Sequence, residues 1–186
     1  MQIQLYLSDE VQCHFNLSPQ DSQSDNSTPL SSDWKMLWRC DHLASTDDQL
    51  EHLFLFTNAV SKFSLIMVDR CSDLAGLLGC FQQHFLLALH EHGCPFPATE
   101  VEIDFQLLRG DPFQLTQHMN FLGDLAIEQL LINDVDVEAT ELRLNSYESH
   151  SHPISASDAM RQRLQPAKKS NAGSHIIPFQ SQAVAR

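Results

Sequence analysis

The sequence predicts an α+β fold: a small, mainly antiparallel sheet with its helices packed on one side, followed by a disordered C-terminal tail. Three observations carry that expectation. Two apolar runs, residues 53–56 (Leu-Phe-Leu-Phe) and 65–68 (Leu-Ile-Met-Val), flank a short polar turn in the manner of paired strands. Directly after them, residues 72–92 place leucine and phenylalanine at helical spacing. Beyond Pro166 the apolar pattern gives way to polar and basic composition, in which no packed core can form.

Taken in order, Ile3, Leu5 and Leu7 alternate with Gln2, Gln4 and Tyr6, which predicts a half-buried first strand. Ser8 followed by Asp9 and Glu10 predicts a helix start, with a hydroxyl cap and acids in the first turn. Residues 18–32 are almost wholly Ser, Asp, Gln, Asn, Thr and Pro, the composition of a flexible surface insertion. Trp34, Met36 and Trp38 then share one face of a predicted strand. With the runs at 53–56 and 65–68 it makes three antiparallel strands. Because those two runs are apolar at consecutive positions, both of their faces must be covered. Asn58 lies in the link between them and suits the left-handed backbone that tight turns demand.

The helix over 72–92 has Ser72 as its expected cap and Leu74, Leu77, Leu78, Phe81, Phe85 and Leu89 as its apolar stripe, and Gly93 ends it. Gly76 and Gly79 lower its propensity by about 1 kcal/mol each and suggest close packing on the sheet. Residues 99–109 carry two conflicting signals. Thr99 and Glu102 form a capping box, whereas Val101, Ile103, Phe105 and Leu107 alternate; the capping box favours a short helix. Residues 113–116 read as a strand feeding a helix over 119–132. Leu142 and Leu144 suggest a last edge strand, and residues 157–164 a short terminal helix. One domain over 1–165 and a basic tail over 166–186 follow. A body of this size buries roughly 70% of its unfolded surface.

Charge divides the same way. The net charge is −13, yet residues 1–149 carry six Lys/Arg against 23 Asp/Glu, whereas residues 150–186 carry five Lys/Arg and one Asp. An acidic body repels phosphate backbones, which argues against direct nucleic-acid binding and for a basic protein partner. No run approaches the ~20 apolar residues of a membrane helix, and the N-terminus lacks the features of a signal peptide. A cytoplasmic setting is therefore expected. The five cysteines, none closer than nine positions, exclude a C-x-x-C motif and are expected to be reduced and mostly buried.

Candidate chemistry is sparse. Cys80 and His84 are spaced i, i+4, with His90, His92 and Cys94 nearby. However, His84 and His90 project some 120° apart on a helix, and no metal or other cofactor is expected. Cys71, at the start of the long helix, is either an activated or an inert thiol, the latter preferred. The acidic runs at Asp47-Asp48, at Glu100, Glu102 and Asp104, and at Asp134, Asp136 and Glu138 read as solvated faces. Trp34, Trp38 and Asn58 are candidates to line a ligand groove, with core packing for the tryptophans and a turn role for Asn58 the preferred reading.

The opening strand, the Trp34 segment, the turn at Asn58, the helix from Ser72 and the element from Gln114 to Asp124 together resemble a family of small bacterial proteins known only as domain of unknown function 6933. The resemblance covers roughly residues 1–164 and implies a fold class and a bacterial intracellular setting, with no assigned activity. It adds Asn120 to Trp34 and Asn58 as a candidate binding residue. Where relatives carry an Arg-Ser pair, this chain has His118-Met119-Asn120-Phe121, so an anion-binding role for that arginine does not transfer. No catalytic residue is indicated. The expected function is a non-enzymatic accessory or interaction module with an acidic surface. The alternative is a small hydrolase-like enzyme whose site is assembled from residues distant in sequence.

Overall fold

The computed structural model describes residues 2–17, 37–44, 52–69, 71–91, 103–108, 113–132, 136–146 and 154–164. The 18–32 insertion, Trp34, Met36, the Asp47-Asp48 pair, His92, Cys94, the Thr99–Glu102 capping box and the 166–186 tail lie outside them.

Among the described residues, five strands form one sheet in the order β4-β3-β2-β1-β5. They are β1 (Gln2–Leu7), β2 (Leu37–Ala44), β3 (His52–Asn58), β4 (Ser64–Asp69) and β5 (Asp104–Leu108). The expected antiparallel set is present as β2-β3-β4, with Cys40 opposite Phe56 and Phe56 opposite Leu65. Two further pairings are parallel, β1 with β2 and β1 with β5. The α+β class therefore stands, but the sheet is mixed. Parallel pairing brings together strands that no tight turn can join, which a local hydrophobic pattern does not reveal.

Helices α1 (Asp9–His14), α2 (Leu74–Glu91), α3 (Phe113–Ile132), α4 (Val137–Ser146) and α5 (Ala156–Leu164) cover both faces, not one. The strand registers explain why. In β3, Phe54 and Phe56 point to one face and Leu53 and Leu55 to the other; in β4, Leu65 and Met67 oppose Ile66 and Val68 in the same way. The first face packs against α1, α2 and α5 through Val11, Leu77, Phe81, Phe85 and Met160. The second packs against α3 and α4 through Met119, Leu122, Ala126, Leu130 and Leu144. A continuous apolar strand has two greasy faces, and each needs its own helical layer.

Local sequence rules account for the helix starts. The Ser8 hydroxyl accepts from the Val11 N–H and opens α1, as expected. In α2 the cap is Asp73, not Ser72: its carboxylate accepts from the Gly76 N–H at 2.7 Å. Asp136 does the same for α4 through the Ala139 N–H, and Ser155 for α5 through the Asp158 N–H. The stripe of α2 is seated as predicted, with Leu77, Phe81, Phe85 and Leu89 buried. Its glycines do not meet the sheet: Gly79 faces open space, and Gly76 lies against Cys71.

Three other expectations are corrected. Residues 104–108 are β5, aligned in parallel with β1 over five positions, a distant partner that a local capping signal does not register. The predicted strand at 113–116 is the first turn of α3. The predicted edge strand around Leu142 and Leu144 is α4. At the β3–β4 link, Lys62 takes the positive φ of 65°, not Asn58.

Candidate functional site

Strand β4 is one edge of the sheet, and an open edge offers unpaired backbone groups to any passing strand. Helix α4 closes it with polar side chains. Glu141 and Asn145 are i, i+4 and therefore share a helix face. The Asn145 Oδ1 accepts from the Ser64 N–H at 2.7 Å, and its Nδ2 donates to the Ser64 carbonyl at 2.7 Å. One pleat along, Glu141 Oε1 accepts from the Ile66 N–H. Together they copy the hydrogen-bond pattern of a neighbouring strand.

Glu141 also reaches α2. The His84 Nε2 lies 3.0 and 2.9 Å from its two carboxylate oxygens. This hydrogen bond, opposed by burial and aided by the field of Glu141, Glu91 and Glu138, raises the His84 pKa above its ordinary 6.5. One carboxylate thus ties a helix from each side of the sheet to the strand edge between them.

Between α2 and α4 opens a groove of about 830 Å³. Its apolar surface includes Leu65, Leu87, Ala88, Val137 and Leu142. Leu87 and Leu142 are 54% and 64% exposed. The carboxylates of Glu91, Asp136 and Glu138 rim the groove and are exposed. His84, Glu141 and Asn145 form its polar wall. The floor takes apolar groups, and the rim favours positive charge.

A second concavity, of about 470 Å³, lies where the end of β1 and the start of α1 meet β2 and α3. Asn120 lines it, together with Asp9, Glu10, Asp41, His42 and Asp124. Arg39 is buried beneath it and forks onto Asp41, with Nε and Nη2 at 2.9 and 2.8 Å from the carboxylate oxygens. Glu10 is held below the usual carboxylate range by backbone and Ser8 hydrogen bonds.

The three sequence candidates are not brought together. Asn120 lines this second cavity, whereas Trp34 lies outside the described residues. Asn58 is fully buried, and its Oδ1 accepts from the Val60 N–H, the Ser61 N–H and the Ser61 hydroxyl. It organises the β3–β4 turn. Cys80 and His84 also diverge: His84 turns to Glu141, while the Cys80 sulfur lies 3.8 Å from that of Cys71. Among the described residues no group of three or more His, Cys, Asp or Glu is placed to hold a metal. Nor is any helix there long and apolar enough to cross a membrane.

Sequence reasoning missed Glu141 and Asn145 because it placed them on a strand. The signal was present, since Asp136 begins a capped run with Val137, Glu141 and Leu144 at helical spacing. Comparison of the chain with protein-family models, curated proteins and solved structures finds no match.

The clasp has a pH signature. A raised folded-state pKa for His84 means its contribution is complete below the unfolded value of 6.5 and is lost as pH climbs through the folded value. The thermal midpoint of the wild type, minus that of His84→Gln, should therefore fall as pH rises above 6.5. The effect should be modest, because the imidazole is 35% exposed and solvent screens it. A difference that is flat with pH would mean that the charged pair contributes nothing.

Proposed function

We propose that this protein is a non-enzymatic accessory or interaction module, and that the α2–α4 groove receives a basic, amphipathic segment of a protein partner. One observation carries the reading: two large apolar side chains, Leu87 and Leu142, stand exposed in a concavity rimmed by Glu91, Asp136 and Glu138. Apolar anchors on the partner would fill the floor, and Lys or Arg on its other face would meet the rim. The acidic body supports this reading, because a net charge of −13 speeds encounter with cations and disfavours nucleic acid. The resemblance to the bacterial family of unknown function enters only as setting, a cytoplasmic bacterial protein. The hydrolase alternative would need a nucleophile activated by His84. Among the described residues, the Nε2 of that ring lies against both oxygens of the Glu141 carboxylate, which also holds β4.

The test compares the wild type with a Leu87→Ser/Leu142→Ser double variant as bait at low and at high salt. Both side chains are exposed, so the variant should fold with near-normal stability. Proteins held by the wild type should be basic, should elute as salt rises, and should bind the variant at least about tenfold more weakly. Equal retention by both baits, or salt-independent retention, would defeat the reading. Titration with a synthetic Lys/Leu amphipathic helix and its Glu/Leu counterpart supplies the direct arm. The basic peptide should bind and the acidic one should not.

A further inference from the structure

Cys71 and Cys80 are nine residues apart, yet their sulfurs lie 3.8 Å from each other. Cys71 is half-buried at the junction between β4 and α2, and Cys80 is exposed on the second turn of that helix. The sequence builds this proximity deliberately. Asp73 caps α2 by accepting from the Gly76 N–H. Gly76 and Cys80 are i, i+4 and share a helix face, so whatever packs on Gly76 also faces Cys80. A Cβ at Gly76 would sit 2.9 Å from the Cys71 Cβ and 3.1 Å from its sulfur. Only glycine at this position lets Cys71 lie where it does.

We infer that Cys71 and Cys80 form a redox modification site that closes to a disulfide in the presence of a peroxide. The exposed Cys80 meets the oxidant first. Its thiolate attacks one peroxide oxygen and the O–O bond breaks. That oxygen stays on Cys80 as a sulfenic acid, and the other leaves as hydroxide, taking a proton to become water. The Cys71 thiolate then attacks the Cys80 sulfur. An S–S bond forms, the C80 sulfenic oxygen leaves as hydroxide, and it takes up the proton released by Cys71. Two thiols lose two electrons, and one hydrogen peroxide becomes two waters. With the sulfurs 3.8 Å apart, closure to the roughly 2.05 Å of a disulfide is a short, local movement. The crosslink would staple the end of β4 to the second turn of α2, whose far end forms one wall of the groove.

The experiment treats the reduced full-length protein with equimolar hydrogen peroxide, blocks residual thiols by alkylation, and maps the peptides by mass spectrometry. The expected product is lighter by two hydrogens, carries a Cys71–Cys80 linkage, and returns to the dithiol with dithiothreitol. It should form on the order of tenfold faster in the folded chain than in urea, because folding holds the sulfurs together. Equal rates in the two states would overturn the inference, as would linkages to Cys13, Cys40 or Cys94 in comparable yield. Cys71→Ser should leave a sulfenic acid on Cys80 that dimedone traps; no adduct would sink the proposed order of attack. Gly76→Ala retains both thiols but pushes Cys71 aside, and should slow closure about tenfold. Closure at an unchanged rate in that folded variant would show that the glycine does not set the pair.

Discussion

Phe81→Ala should cost about 3–5 kcal/mol of folding stability. Phe81 is fully buried and lies at the centre of the aromatic layer between α2 and the sheet. It stacks on Phe56 at 4.3 Å between ring centres and on Phe85 at 5.7 Å, and meets the edge of Trp38 at 5.2 Å. These partners come from β3, α2 and β2, so no single element can move to fill the space left behind. A cavity that cannot collapse forfeits dispersion contacts on every wall, in addition to the transfer free energy of the lost ring. Urea unfolding should show a lower midpoint with the slope unchanged. Phe81→Leu, which keeps most of the volume, should lose much less, about 1–2 kcal/mol. A cost below about 1 kcal/mol for the alanine variant would mean that the aromatic layer is loosely packed.

That layer is legible in the sequence because its period is unambiguous. Leu77, Phe81, Phe85 and Leu89 repeat at helical spacing, and the runs 53–56 of β3 and 65–68 of β4 announce two buried faces by being apolar at consecutive positions. The helix caps at Ser8 and the run ending at Leu164 were legible for similar local reasons. What failed was whatever depended on a distant partner. Strand β5 is held by β1, about a hundred positions earlier, so a local capping signal outweighed its alternation. Helix α4 was misread for a more specific reason. Its buried residues are Thr140, Glu141, Leu144 and Asn145, a stripe that is mostly polar because it faces the backbone of an edge strand and not side chains. A hydrophobic period cannot report a helix whose buried face makes hydrogen bonds. The groove was hidden by the same error, since half of it belongs to α4. The proximity of Cys71 and Cys80 was likewise invisible, because it depends on a close approach that only the missing Cβ of Gly76 permits.

The edge closure makes a second large prediction. Asn145→Ala should cost about 2–4 kcal/mol, because it strands two buried backbone groups of Ser64, and each unsatisfied group costs about 1–3 kcal/mol. Asn145 is 2% exposed and Ser64 fully buried, so water cannot easily take over either bond. The amide is also the one side chain of its size that donates and accepts at once, as the Ser64 N–H and carbonyl require. Asn145→Asp separates the two roles. Its carboxylate can still accept from the Ser64 N–H but faces the Ser64 carbonyl with like partial charge, so it should be no more stable than alanine at neutral pH. It should recover as pH falls and the acid gains a proton to donate. Stability is only half of the expected result. With α4 loosened, β4 would present free N–H and C=O groups at a sheet edge, and size-exclusion chromatography at rising concentration should show the alanine variant associating where the wild type does not. If Asn145→Ala unfolds early yet stays monodisperse, the side chain stabilises α4 without guarding the edge. If it keeps wild-type stability, the mimicry of a neighbouring strand contributes no net free energy.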